Sequence, residues 1–100
     1  MSEKLYAPVH PGEILHEEFL EPLGITAYRL AQATGLPQTQ IGQILRGKRS
    51  ITARSGLRIA KALGLSEWYW INAQARYDLE VERDRHANEL AKVQPLVAAA

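Results

Sequence analysis

Apolar positions recur along this chain at spacings of three and four, the period of helices with one buried face. Ile14, Leu15 and Phe19, with Leu23 following, predict a first helix from Pro11 to Leu20. Pro11 suits a first helical turn, and Glu13 complements the positive end of the helix dipole. Pro22 and Gly24 are expected to stop this helix. Residues 1–9 read as extended, because Pro8 disfavours helix at Ala7. Leu30, Ala31 and Thr34 mark a second helix, capped by Thr26 and stapled by Ile25 to Leu30. Ile41, Ile44 and Leu45 mark a third, from Pro37 to about Leu45. A fourth, ARSGLRIAKAL, starts behind the cap Thr52 and is expected to bury Leu57, Ile59, Ala60 and Leu63. Gly64 ends it, and Ser66 caps a fifth. Gly56 within the fourth helix costs about 1 kcal/mol against Ala, which implies that another helix packs close there. From Glu80 to Lys92 the chain stays helical and highly charged, until Gln94-Pro95.

The second and third helices are joined by Gly35-Leu36-Pro37. Gly35 can take the positive φ that ends a helix, and Pro37 is pre-set for the next one. Ala31 is small enough to let two steeply crossing helices touch. Small Ala31, Gly35 four residues on, and apolar Ile41 and Ile44 beyond it make a helix-turn-helix pattern. The predicted fold class is therefore all-α: a five-helix helix-turn-helix domain with an extended C-terminal helix. Residues 1–94 read as one such domain and residues 95–100 as a frayed tail.

The third helix has a face with no use inside a core. At 100° per residue, Thr39, Gln43 and Arg46 point away from Ile41. Gln38 and Gly42 lie on one shoulder and Gln40 on the other. That face carries amides, a hydroxyl and a guanidinium but no carboxylate, whereas ordinary solvated helices mix Glu with Lys. A Gln can bond an adenine edge as donor and acceptor at once. Gly42 would let another molecule approach the backbone. The loop that follows, Arg46-Gly47-Lys48-Arg49-Ser50, offers charge and backbone N–H groups to phosphates.

Charge is partitioned in a way that supports this. The chain as a whole is +1. Residues 1–21 carry five acids against Lys4, net −4, and residues 67–100 are net −2. Residues 22–66 hold Arg29, Arg46, Lys48, Arg49, Arg54, Arg58 and Lys61 with no acid, net +7. A basic block confined to the helix-turn-helix is the footprint of a nucleic-acid surface, and it supplies the salt-sensitive share of DNA affinity.

The fifth helix spreads Trp68, Tyr69, Trp70, Ile71, Tyr77 and Leu79 over more than one face. One face is expected to close the core and another to remain exposed as an interface. The expected dimer contacts are Trp68, Trp70, Ile71, Gln74 and Tyr77. A homodimer is also favoured because one recognition helix reads too few base pairs alone.

At 100 residues the chain has room for one modest core, and its 46% hydrophobic content is ordinary. It has no cysteine, which removes disulfides and thiolate chemistry. Its apolar runs are far shorter than a membrane span, so a cytoplasmic location without membrane contact is expected. His16-Glu17 opens an H-E-x-x-H pattern, but residue 20 is Leu and the second ligand is missing. No phosphate loop and no nucleophile-base pair is present. The expectation is no catalysis, no metal and no cofactor.

Three stretches together resemble a known family. PVHPGEILHEEFLEPLGIT, residues 8–26, is similar to the opening of the HigA-type antitoxins, within the repressor-like (XRE/Cro) helix-turn-helix superfamily. The similarity continues through GLPQTQIGQILRGKRSIT, residues 35–52, and WINAQARYDLE, residues 70–80. The opening segment and the set Trp70, Asn72, Gln74, Tyr77, Asp78 and Leu79 are the specific parts. Pro37 departs from the family's usual capping Ser. The resemblance implies an antitoxin of a type II toxin-antitoxin pair. Such a protein binds palindromic double-stranded operator DNA as a homodimer, represses its own operon and neutralises a HigB/RelE-type ribonuclease toxin. It implies base contacts from Gln38, Thr39, Gln40 and Gln43. It implies phosphate contacts from the start of helix two, Thr26 and Tyr28, and from Arg46, Lys48, Arg49 and Ser50. A stand-alone repressor with no toxin, and a protein-interaction module that no longer reads DNA, are the alternatives.

Overall fold

The computed structural model describes residues 7–98 and is helical throughout, with no strand among the described residues. The expected extended opening falls outside them up to residue 6, and the expected frayed tail from residue 99. Helix α1 begins with Pro11–Ile14, widens into a π-helical stretch, Leu15–Leu20, and closes with Glu21–Leu23. It is followed by α2 (Ala27–Thr34), α3 (Gln38–Leu45), α4 (Ala53–Leu63), α5 (Tyr69–Arg85) and α6 (Ala87–Ala91). This is the all-α helix-turn-helix fold expected from the pattern, with the long C-terminal helix interrupted at His86 and resumed as α6.

Pro22 does not stop α1, as its missing N–H suggests it should. It sits inside the last turn. The π-helical widening just before it, in which the Glu21 N–H reaches back to the His16 carbonyl, gives the proline ring the space an α-turn would deny it. Continuing through Pro22 leaves Leu23 61% exposed rather than in the apolar stripe. Leu57 is likewise exposed rather than buried; Ser55 and Gly56 face inward beside the expected Ile59 and Ala60.

The core is built from Leu15 and Leu20 of α1, Leu30 and Ala31 of α2, Ile41 and Ile44 of α3, and Ile59 and Ala60 of α4. Trp70 of α5 completes it. Trp70 is fully buried, and it meets Phe19 and Tyr69 edge-on at 5.5 and 4.8 Å between ring centroids. T-shaped packing of this kind adds about 0.5–1.5 kcal/mol per pair beyond the area buried. The same cluster locks α1 against α5. The close approach implied by Gly56 is present: a Cβ there would lie 3.1 Å from Ile51 Cγ2 and 3.3 Å from Trp70 Cβ. Thr26 and Thr52 cap α2 and α4 as their hydroxyls suggested, accepting from Arg29 and Ser55 N–H groups. Ser66 accepts from the Trp68 N–H, but the helix proper starts at Tyr69.

Trp70 and Gln74 are therefore not available to a second subunit. Trp70 has no exposed surface, and Gln74 is 7% exposed. The Gln74 amide is an internal strut. Its Oε1 accepts from the Ile51 N–H at 2.8 Å, and its Nε2 donates to Asp78 Oδ1 at 2.9 Å. It ties the segment just past the basic loop to α5. The domain leaves less aromatic surface uncovered than the pattern of α5 suggests, because α1 supplies Phe19 as a partner for two of the rings.

Candidate nucleic-acid interface

The orientation of α3 is set at both ends. At its start the Pro37 carbonyl accepts from the Ile41 N–H at 3.1 Å, with Pro37 as the last non-helical residue. At its end, Gly47 at φ +72° donates to the Ile44 carbonyl at 3.0 Å, and the Lys48 N–H reaches the Gln43 carbonyl at 2.8 Å. These two bonds form a Schellman closure, which needs a residue tolerant of positive φ at this position. They fold the basic loop back along the helix instead of letting it run on.

Between those ends, Ile41 and Ile44 are fully buried and hold the helix to the core. Gln38 and Thr39 are exposed; Gln40, Gly42 and Gln43 are half-buried. A groove runs along this face, lined by Gln38, Thr39, Gly42, Gln43, Leu45 and Arg46, with Ala27 of α2 and His16 of α1 on its far side. His16 has no signature in the helical period of α3; only the crossing of α1 over α3 brings it in.

Arg46, Lys48, Arg49 and Ser50 are all exposed. Arg46 folds back over α3, so that a Cβ on Gly42 would sit 3.2 Å from its Nη1. The bare backbone at Gly42, read as room for a partner, is room for Arg46. Arg49 donates from Nη1 to Gln43 Oε1 at 3.0 Å. At the start of α2, Thr26 is exposed but its hydroxyl is engaged in capping. Exposed Tyr28 accepts through its hydroxyl from Gln32 Nε2 at 3.0 Å. The ten residues expected to meet DNA thus lie on α3, its closing loop and the start of α2.

Of the five residues expected at a dimer contact, Trp68 is 60% exposed and Ile71 half-buried. Tyr77 is partly engaged within the subunit, edge-on to the His10 ring at 5.0 Å.

His10 is a cap that ties the site to the N-terminal helix. Its Nδ1 accepts from the Gly12 N–H at 2.9 Å. A Cβ on Gly47 would touch its ring at 3.7 Å. Burial lowers the His10 pKa from its ordinary 6.5, and the charges of Asp78 and Glu13 pull weakly the other way. A depressed pKa means the unfolded chain takes up the proton first. The stabilisation is therefore complete above pH 6.5 and is lost as the pH falls below that value toward the folded-state pKa. Thermal melts between about pH 7.5 and about pH 5.5 should show the melting temperature falling with acid. His10→Asn, which keeps a short capping acceptor that does not titrate, should flatten the slope in that window.

A helix-turn-helix family profile matches residues 17–69, more than half of the chain. Antitoxin HigA-1 of Vibrio cholerae is 39% identical over 89 residues, spanning 89% of this chain and 84% of that one. The chain belongs to the HigA-type antitoxins, helix-turn-helix DNA-binding proteins. Solved structures of this family superpose on it closely. Antitoxin GraA in complex with its operator matches at a TM-score of 0.86 and 35% identity, covering 98% of this chain and all of that one. Pseudomonas aeruginosa antitoxin HigA with the higBA promoter matches at 0.84 and 31%, covering 90% and 99%. For this HigA-type chain, no helix among the described residues is long and apolar enough to cross a membrane.

Proposed function

We propose that this HigA-type protein binds palindromic operator DNA as a homodimer, represses its own operon and neutralises a HigB/RelE-type ribonuclease toxin. The observation that carries the DNA reading is the outer face of α3. It is acid-free and open at Gln38 and Thr39, and a basic loop is folded back beside it. In this reading Gln38, Thr39, Gln40 and Gln43 meet base edges. Thr26, Tyr28, Arg46, Lys48, Arg49 and Ser50 meet the sugar-phosphate backbone. Relatives named as bound to an operator or a promoter support it. The toxin is supported by relatives named as antitoxins. The protein works as a binder, not a catalyst, and in the cytoplasm, where its operator is. Two subunits meet through exposed Trp68 and the neighbouring Ile71, doubling a recognition site that one α3 would leave too short.

The test is a gel shift on the DNA upstream of the chain's own gene. Gln43→Ala is expected to cost about 1–3 kcal/mol and relax selection at one base. Arg46→Ala should instead weaken all duplexes alike and flatten the salt dependence. If neither substitution alters retention, α3 is not the recognition helix. Light scattering at micromolar concentration that returns a single-chain mass removes the dimer. Co-expression with the product of the adjacent gene tests the toxin: failure to co-purify leaves a stand-alone repressor.

A further inference from the structure

Gln43 is not free to choose how its amide faces the groove. Arg49, six residues on, is brought beside it by the closure at Gly47 and Lys48, and its Nη1 lies 3.0 Å from Gln43 Oε1. A guanidinium has donors only. The amide atom facing it must therefore be the oxygen, and the Nε2 hydrogens are turned the other way. An unrestrained glutamine can lead with either end and so can meet an acceptor or a donor on a base. With Arg49 behind it, the flipped amide would aim its own N–H groups at a cation.

We propose that Arg49 is a positioning residue that fixes the Gln43 amide with Nε2 leading, and thereby sets which base Gln43 accepts. This rests on α3 being the recognition helix. A leading N–H group selects an acceptor: N7 of adenine, N7 or O6 of guanine, or O4 of thymine. Oε1 keeps its second lone pair, so a two-bond pair with adenine stays open. Cytosine presents only its N4 donor in the major groove, which leaves the leading N–H groups without an acceptor, so it is disfavoured on the strand Gln43 meets even though Oε1 can still accept one bond from it. Arg49 thus does more than attract phosphate, although its remaining N–H groups are free to do that as well.

The experiment selects duplexes from one randomised library with the full-length wild type, Gln43→Ala, Arg49→Ala, Arg49→Lys and the Gln43→Ala/Arg49→Ala double variant. Affinities are then measured on the wild-type consensus and its single-base variants. Arg49 is an exposed loop residue, and an unchanged thermal melt for each variant confirms the fold. In the wild type, the position that Gln43→Ala relaxes should reject cytosine by roughly tenfold or more. Arg49→Ala should relax that same position, and the double variant should relax it no further than Gln43→Ala. Arg49→Lys keeps the charge but not the planar fork. It should hold most of the affinity and still admit cytosine. If Arg49→Ala lowers affinity for every duplex by one factor and leaves the preference intact, Arg49 is a phosphate contact only and the proposal is overturned. If Gln43→Ala itself leaves every preference unchanged, the recognition-helix reading falls, and the positioning role with it.

Discussion

Replacing Gly12 with alanine should cost this domain about 3 kcal/mol or more and lower its melting temperature by roughly 12–24 °C. Gly12 is buried in the first turn of α1, against the C-terminal end of α3. A Cβ built on it lands on the backbone carbonyl of Ile44. Most overpacked sites relax by turning a side chain; this one cannot, because the obstacle is backbone. Either α1 retreats from α3, or α3 shifts and takes the groove with it. Domains of this size hold only about 5–15 kcal/mol in all, so a loss of that order is a large share. Gly24→Ala is the matched comparison. Gly24 sits at φ +67° with nothing within 4 Å of a Cβ, so only local backbone strain of about 1–2 kcal/mol applies. Circular dichroism melts of the two variants and of the wild type separate the cases. A Gly12→Ala variant that melts with the wild type would show that α1 does not rest on α3. The DNA affinity of Gly12→Ala, measured below its melting point, should fall too, because the Ile44 carbonyl belongs to α3, the helix proposed to read DNA.

What the sequence made legible was everything written locally. Capping hydroxyls, a glycine after each apolar run and a 3.6-residue period located α2, α3 and α4, the last at its observed ends, Ala53–Leu63. The acid-free face of α3 could be read off for the same reason: helical phase follows from Ile41 and Ile44 alone. What stayed hidden was set through space. Gly12 carried no signal of its own beside Pro11 and Glu13, and its neighbour in the fold, Ile44, lies far along the chain. Gly47 marked where α3 ends, but not that the loop beyond it would bring Arg49 onto Gln43. Pro22 read as a stop because a proline usually is one; the π-helical stretch before it has no signature that periodicity detects. In α5 the pattern showed aromatics on several faces but not which ring would find Phe19 inside the same subunit. Period alone does not distinguish a ring buried by its own chain from one buried by a partner.

Truncating Trp70 to alanine decides that last distinction by experiment. Trp70 is wholly buried among Phe19, Tyr69 and the close-packed Gly56 of α4. Its loss leaves a cavity at the junction of α1, α4 and α5, for which about 3–5 kcal/mol is expected. The single subunit should therefore lose cooperative unfolding or melt far below the wild type, at any protein concentration. Trp68→Ala should behave in the opposite way. That side chain is 60% exposed, so its removal should change subunit stability by no more than about 0.5 kcal/mol and act on association instead. Trp70→Phe provides the intermediate case. The Trp70 Nε1–H is buried and finds no acceptor among the described residues, and an unmet buried donor carries a penalty of about 1–3 kcal/mol. Phenylalanine loses part of the ring but also sheds that donor, so it should cost much less than alanine does. Were Trp70→Ala to leave the melting curve intact while lowering the mass in light scattering, Trp70 would belong to the interface after all, and α1 would need another reason to sit against α5.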